Sequence, residues 1–336
     1  MTTAPDCAWR LADLARVPAT DIKVMSTFAC GGGSSMGYKR AGCEIVAAND
    51  IDPAMAWHYQ HNLHPPRYYL CPIRDLLTAD LPPELFDLDI LDGSPPCSTF
   101  SMAGSREKSW GQDKHFREGQ AKQVLSDLFF DYLDLVARLK PKVAIAENVK
   151  GMLLGNAKGY TKLVMARFKE IGYRPQLFLV NAADCGVPQK RERVFFCAIR
   201  NDLTAPPLQL APRHRWISAG EATRDLGQKV KGLYLVTASD ERHVLNFKRP
   251  IHDPMTQPSP TLTANNNSFD LISWDRKSEK RAWTYREYGR LGSFPDDYHA
   301  KTDKIGKYMI GMSVPPKMTE QVARAVCAQW LGVDYG

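Results

Sequence analysis

From residue 22 to residue 200, short apolar runs alternate with stretches in which apolar residues recur every three or four positions. Ile22–Phe28, Glu44–Ala48, Leu88–Leu91, Lys142–Ala146, Gln176–Val180 and Val194–Ile199 read as strands. Ser35–Ala41 and Pro53–Leu63 read as helices, and Val124–Leu139 carries apolar residues at i, i+3, i+4 and i+7. Trp9, Leu11, Leu14 and Val17 have the spacing of a short packing helix, and Thr319–Leu331 that of a last amphipathic one. Alternating strands and helices predict an α/β fold with a doubly wound, mostly parallel, Rossmann-like sheet. Residues 201–275 are rich in Pro, Arg, Lys and His and lack helical period, which predicts a smaller second domain. The expected division is 1–200, completed by about 285–336, and 201–284. Residues 308–316, Y-M-I-G-M-S-V-P-P, read as a loop with a chain-reversing glycine that starts the last helix.

Composition changes this picture little. The 336 residues carry 44 Lys and Arg against 37 Asp and Glu, a net charge of +7, which suits a polyanionic partner without requiring one. The eight cysteines form no C-x-x-C pair, so no structural zinc is expected, and no metal at all. The start of the chain shows no basic segment leading into a long apolar run, and no stretch has membrane-spanning length. A cytoplasmic protein with reduced thiols and no membrane partner is the expectation.

The candidate chemistry falls at strand ends, where open α/β sheets bind ligands. The first strand runs into F-A-C-G-G-G-S-S-M-G, residues 28–37, a loop that frees N–H groups at a helix start but is also what an ordinary turn looks like. The second ends at Asp50 and Asp52, placed to accept from ribose hydroxyls. The third ends in D-G-S-P-P-C-S-T-F-S, residues 92–101. Cys97 is there either a small core residue or a nucleophile aimed by the rigid Pro-Pro. Glu147, in Glu147-Asn148-Val149, is a strand-end acid that is either solvated or at work on a substrate. In Q-K-R-E-R, residues 189–193, strand alternation would set Gln189, Arg191 and Arg193 on one face, unless the run is solvated surface.

Taken together these segments resemble the DNA cytosine-5 methyltransferases. The motifs stand in the family's order from about residue 22 to the end: F-A-C-G-G-G-S-S-M-G, N-D-I-D, D-G-S-P-P-C-S-T-F-S, S-D-L-F-F-D-Y, E-N-V-K-G-M, Q-K-R-E-R, R-A-W-T-Y-R-E-Y-G-R-L-G-S-F-P and G-M-S-V-P-P. The resemblance implies a methyltransferase sheet, S-adenosylmethionine as donor with S-adenosylhomocysteine as product, and cytosine in double-stranded DNA as acceptor. It implies Cys97 as the nucleophile at C6, Glu147 as the group that binds and protonates N3, Arg193 at the cytosine O2 and Arg191 close by. It implies a flipped base. It assigns Phe28, Ala29, Cys30, Gly31, Gly32, Gly33, Asp50, Ile51, Pro72, Ile73, Ser94, Pro96, Leu128, Met312 and Ser313 to the donor. It makes 98–119 a closing loop with Ser101, Arg106 and Lys114 at phosphates. It makes 201–284 the target-recognition domain, with Arg213, Arg215, Arg242 and Lys248 among its DNA contacts. A monomer is expected, with a cognate restriction endonuclease as a further partner.

Four positions depart from the family's pattern. Cys30 stands where glycine is usual, Ile51 where a large aromatic is, Pro72 where aspartate is and Met312 where asparagine is. All four map to the donor pocket, which implies an active enzyme with rearranged donor contacts. Two other readings keep most of these residues: a transfer-RNA cytosine-5 methyltransferase, and a DNA-binding regulator without activity.

Overall fold

The computed structural model describes residues 5, 7–96, 113–114, 123–124, 128–155, 157–227, 231, 233–236, 252–264, 270–273 and 280–336. The first strands are β1 (Lys23–Thr27), β2 (Glu44–Asp50), β3 (Tyr68–Leu70), β4 (Ile90–Gly93), β5 (Asp113–Lys114) and β6 (Gln123–Val124). They are followed by β7 (Val143–Val149), β8 (Tyr173–Asn181), β9 (Glu192–Arg200), β10 (Leu233–Val236), β11 (Asp270–Ser273) and β12 (Lys280–Ala282). The helices are α1 (Gly33–Arg40), α2 (Pro53–Leu63), α3 (Leu128–Leu139), α4 (Ala157–Glu170), α5 (Ala219–Thr223), α6 (Tyr285–Leu291), α7 (Asp303–Met312) and α8 (Pro316–Trp330).

The chain divides into two units. One comprises Val17–Val180, Glu192–Ala211 and Thr319–Gly336; the other comprises Met1–Arg16, Asn181–Arg191 and Pro212–Met318.

The first unit is built on a seven-stranded sheet of order β3-β2-β1-β4-β7-β9-β8. Pairs β2/β3, β1/β2, β1/β4 and β4/β7 are parallel, and β7/β9 is antiparallel. Strands β1, β2, β4 and β7 are buried almost end to end, as a parallel sheet covered on both faces requires. Helix α3 turns Leu128, Phe129, Tyr132, Leu133, Leu135, Val136 and Leu139 into the core, where Phe129 meets Phe196 edge-on with ring centroids 5.2 Å apart. The strand order reverses between β1 and β4, the switch point at which such sheets place a ligand. The doubly wound, mostly parallel reading of the sequence holds here.

The second unit contains α5, α6, α7 and the antiparallel sheet β10-β11-β12, with Leu233 opposite Ser273 and Asp270 opposite Ala282. Thr284 and Glu287 form a capping box at the start of α6. Arg290, 2% exposed, holds Asp225 and Asp296. The N-terminal turn Leu11–Arg16 is a 3-10 helix. It follows Trp9, whose indole N–H donates to the Ser293 carbonyl.

Several elements differ from their expected form. Val124 lies on β6, and the described part of α3 starts at Leu128. Strand β7 runs on to Val149, because the ladder with β9 continues to the Val149–Arg193 pair. Gln189 and Arg191 do not share a strand face with Arg193, since β9 begins only at Glu192. Residues 308–312 are the end of α7, capped by Thr302, so Gly311 reverses nothing. Gly311 is required by crowding: a Cβ there would lie 2.4 Å from the Thr263 carbonyl carbon and 2.5 Å from the Ala264 nitrogen. The strand β3 and the helix α4 were not anticipated by the pattern of apolar positions; β3 is too short to carry a period.

Candidate active site

In the sheet-bearing unit the carboxyl ends of β1, β2, β4 and β7 carry most of the singled-out residues. After β1 the backbone turns through two non-glycine residues of positive φ, Phe28 at 52° and Cys30 at 47°, before Gly32 at 81° caps α1. A side chain at Gly32 would strike Leu63 Cδ1 at 2.3 Å. That glycine therefore answers to the packing of α2 as well as to the turn. Strain at Phe28 and Cys30 is of the kind that surrounding structure must enforce.

Asp50, at the end of β2, enforces part of it. One carboxylate oxygen accepts the Cys30 N–H at 2.7 Å and the other the Asp52 N–H at 2.9 Å. Burial pushes its carboxyl above the usual range, and those backbone donors pull it back down. With the Ile51 N–H as a third backbone donor, the carboxylate keeps acceptor capacity for one ligand hydroxyl. Asp52 caps α2 in turn through Ala54 N–H at 2.8 Å.

Two neighbours stand outside the set of residues expected at the site. Asp92, buried on β4, accepts from the Ser26 hydroxyl at 2.8 Å and the Tyr38 hydroxyl at 3.1 Å. Burial pushes its carboxyl up to about 6 in spite of these donors. Its signal in the sequence is a lone acid inside the apolar run I-L-D-G. Asn148 donates from Nδ2 to the Pro95 carbonyl at 3.1 Å, tying β7 to the Pro95-Pro96 segment that leads to Cys97. Its signal is an amide among the apolar residues of β7.

Glu147 and Arg193 come together. Oε1 lies 2.9 Å from Nε, with the side chains 12% and 14% exposed. In the ladder Glu147 is opposite Phe195 and Val149 opposite Arg193, so the pair is a diagonal neighbour on one face. Burial pulls the Arg193 guanidinium down from its ordinary range, and Glu147 opposes that pull.

The remaining assignments scatter. Ile73 and Leu128 are buried in the core, while Ile51, Pro72, Ser94 and Pro96 are half-buried at strand ends or just beyond. Arg191 belongs to the second unit and is 3% exposed; its guanidinium donates to the carbonyls of Leu262, Gly311 and Ser313 at 2.8, 3.1 and 3.1 Å. That geometry makes Arg191 a tether of three segments. Gln189 acts alike, between Leu291 and Leu262. Ser313 is buried and its hydroxyl donates to the Met309 carbonyl, whereas Met312 is 52% exposed. Arg213 is exposed, and Arg215 is held by Glu221. Lys114 lies on β5 opposite Gln123. Cys97, Ser101, Arg106, Arg242 and Lys248 lie outside the described residues, as does most of the 98–119 segment.

Comparison with known proteins bears on the whole chain. The family model for C-5 cytosine-specific DNA methylase matches residues 22–231 and 212–328. The type II methyltransferase M.NgoPII of Neisseria gonorrhoeae is 36% identical over 355 residues, covering 91% of this chain and 95% of its own. The type II methyltransferase M.FnuDI of Fusobacterium nucleatum is 26% identical over 340 residues, covering 91% and 94%. Among solved structures, a mutant of Spodoptera frugiperda DNMT2 superimposes with a TM-score of 0.64 at 20% identity, covering 91% of this chain and 99% of that one.

Proposed function

The chain belongs to the C-5 cytosine-specific DNA methylase family and is a DNA cytosine-5 methyltransferase; we propose that it works through a covalent adduct between Cys97 and C6 of a flipped cytosine. The observation that carries this reading is the Glu147–Arg193 pair across β7 and β9, with β7 beside β4 and Asn148 holding Pro95 two residues before Cys97.

Each residue has a task in it. The Cys97 thiolate forms a bond to C6 while the Glu147 carboxyl delivers a proton to N3. The electron pair of the C5–C6 double bond then becomes available at C5, which is too weak a nucleophile in free cytosine. Arg193 holds Glu147 in place and offers its remaining donors to O2 of the base. After C5 has taken the methyl group it loses its proton to solvent, N3 returns its proton to Glu147, the C6–sulfur bond breaks, and Cys97 leaves as thiolate. The base reaches this set only outside the duplex stack.

The donor in this proposal is S-adenosylmethionine, which supplies an electrophilic methyl group. The strand-end residues fit a nucleoside: Asp50 has acceptor capacity left for a ribose hydroxyl, and Phe28 and Ile51 are half-buried apolar side chains. Met312 and Ser313 are assigned to the donor on motif alone. Residues 201–284 read the target in double-stranded DNA, with Arg213 and Arg215 at phosphates.

Bisulfite sequencing of DNA from cells expressing the chain tests the reading. Unconverted cytosines at one short recurring sequence are expected, and complete conversion everywhere would sink it. DNA carrying 5-fluorocytosine, which cannot lose its C5 substituent as a proton, is expected to trap the enzyme covalently. Labelled methyl groups found only in transfer RNA would reassign the substrate.

A further inference from the structure

Trp216 is a large apolar side chain with no place in the site just described. It is 46% exposed, yet it is held firmly. Its indole N–H donates to Asp184 Oδ1 at 2.7 Å. The Lys190 ammonium sits over the ring, 5.2 Å from its centroid, and is itself tied to Gln257 Oε1 at 3.3 Å. On the next residue Ile217 is buried, and Ser218 caps α5 through the Glu221 N–H, so the backbone under the indole is anchored as well. The flanking side chains Arg213, His214 and Arg215 are exposed, and Arg213 has no side-chain partner among the described residues. All these residues belong to one unit.

An indole fixed on two sides and left nearly half bare is poor economy for a core and well suited to an interface. Cations around a rigid aromatic surface are what nucleic-acid sites use, with phosphates taken by the charges and a base or sugar by the ring. Lys190 lies within Q-K-R-E-R, three residues before Arg193 in sequence.

We propose that Trp216 is a DNA contact, its indole packing on a base or deoxyribose of the bound duplex with Lys190 and Arg213 at adjacent phosphates. The proposal rests on the reading of the chain as a DNA methyltransferase and adds a residue that no motif carries.

The test uses the full chain, labelled S-adenosylmethionine and unmethylated plasmid DNA. Trp216→Ala is expected to raise the KM for DNA roughly tenfold or more. Trp216→Phe, which keeps a stacking face, is expected to restore most of that loss. Adding DNA to the wild type is expected to quench tryptophan emission by an amount that Trp216→Phe loses. A Trp216→Ala enzyme with the wild-type KM overturns the proposal, as does a lowered melting temperature with unchanged KM. If the wild type methylates DNA in the same assay, that failure concerns Trp216 alone; a wild type inert on DNA removes the premise too.

Discussion

Glu147 Oε1 lies 2.9 Å from Arg193 Nε across the antiparallel strands β7 and β9, and both side chains are nearly closed off from solvent. The two substitutions should therefore separate chemistry from stability. Glu147→Gln keeps the shape of the group and loses the acid, so methyl transfer is expected to fall at least about 100-fold. Arg193→Ala leaves a carboxylate without its counter-charge in a dry place, at a cost of about 3 kcal/mol. Denaturant unfolding beside a labelled-donor assay measures both. A Glu147→Gln enzyme of wild-type rate would remove the protonating role.

Cys97→Ser is expected to abolish methyl transfer and trapping by 5-fluorocytosine DNA while retaining DNA binding, read by fluorescence anisotropy. Full activity in this variant would refute the nucleophile.

Asp92 gives a pH dependence of known sign. Its folded carboxyl is raised to about 6, above its ordinary value. The unfolded chain thus ionises first as pH rises, and the stability associated with the protonated form, present in full below pH ~4, is lost through about pH 6. Asp92→Asn cannot ionise. Relative to wild type it should gain about 3 kcal/mol between pH 4 and pH 7, measured as the difference of unfolding free energies. A constant difference across that range would mean that Asp92 titrates normally.

Gly311→Ala should lower stability by about 1–3 kcal/mol. The added carbon would meet backbone of Thr263 and Ala264 at 2.4–2.5 Å, and backbone cannot swing aside as a side chain can. Thermal unfolding measures it; a wild-type melting temperature would show that α7 and the Thr263–Ala264 segment move apart at no cost.

Met312→Asn is expected to leave stability within about 0.5 kcal/mol, since the side chain is 52% exposed. Activity is expected to persist with an altered Kd for S-adenosylmethionine, measured by calorimetry. An unchanged Kd would detach Met312 from the donor.

Much of this architecture is written in local pattern. Pro53–Leu63 was readable to the residue because Asp52, Pro53 and the apolar spacing agree on where the helix starts. Glu147 and Arg193 were legible as motif members. Their pairing was not, because strand register depends on the ladder between segments far apart in sequence. The strand face expected for Arg191 failed for a related reason: an arginine two residues from another looks equivalent on a strand, but β9 begins only at Glu192 and the carbonyl partners of Arg191 at Leu262, Gly311 and Ser313 are set by tertiary folding. Gly311 in Y-M-I-G-M resembles a turn, and only the approach of a distant backbone reveals it as a spacer. Asp92 and Asn148 were visible as letters, while their burial and their partners were not.

The direction of β9 carries a last consequence. It is the strand that runs against β7 in a sheet otherwise paired in parallel through β3-β2-β1-β4-β7. A parallel neighbour would offer β7's carboxyl end its own last residues, and Arg193, at the second position of β9, would be carried to the opposite rim. Over the length of such a strand that is about 25 Å. Reversing one strand thus lets a residue that begins an element stand beside one that concludes another. The polarity of a single segment, with no change in its composition, decides whether acid and guanidinium meet.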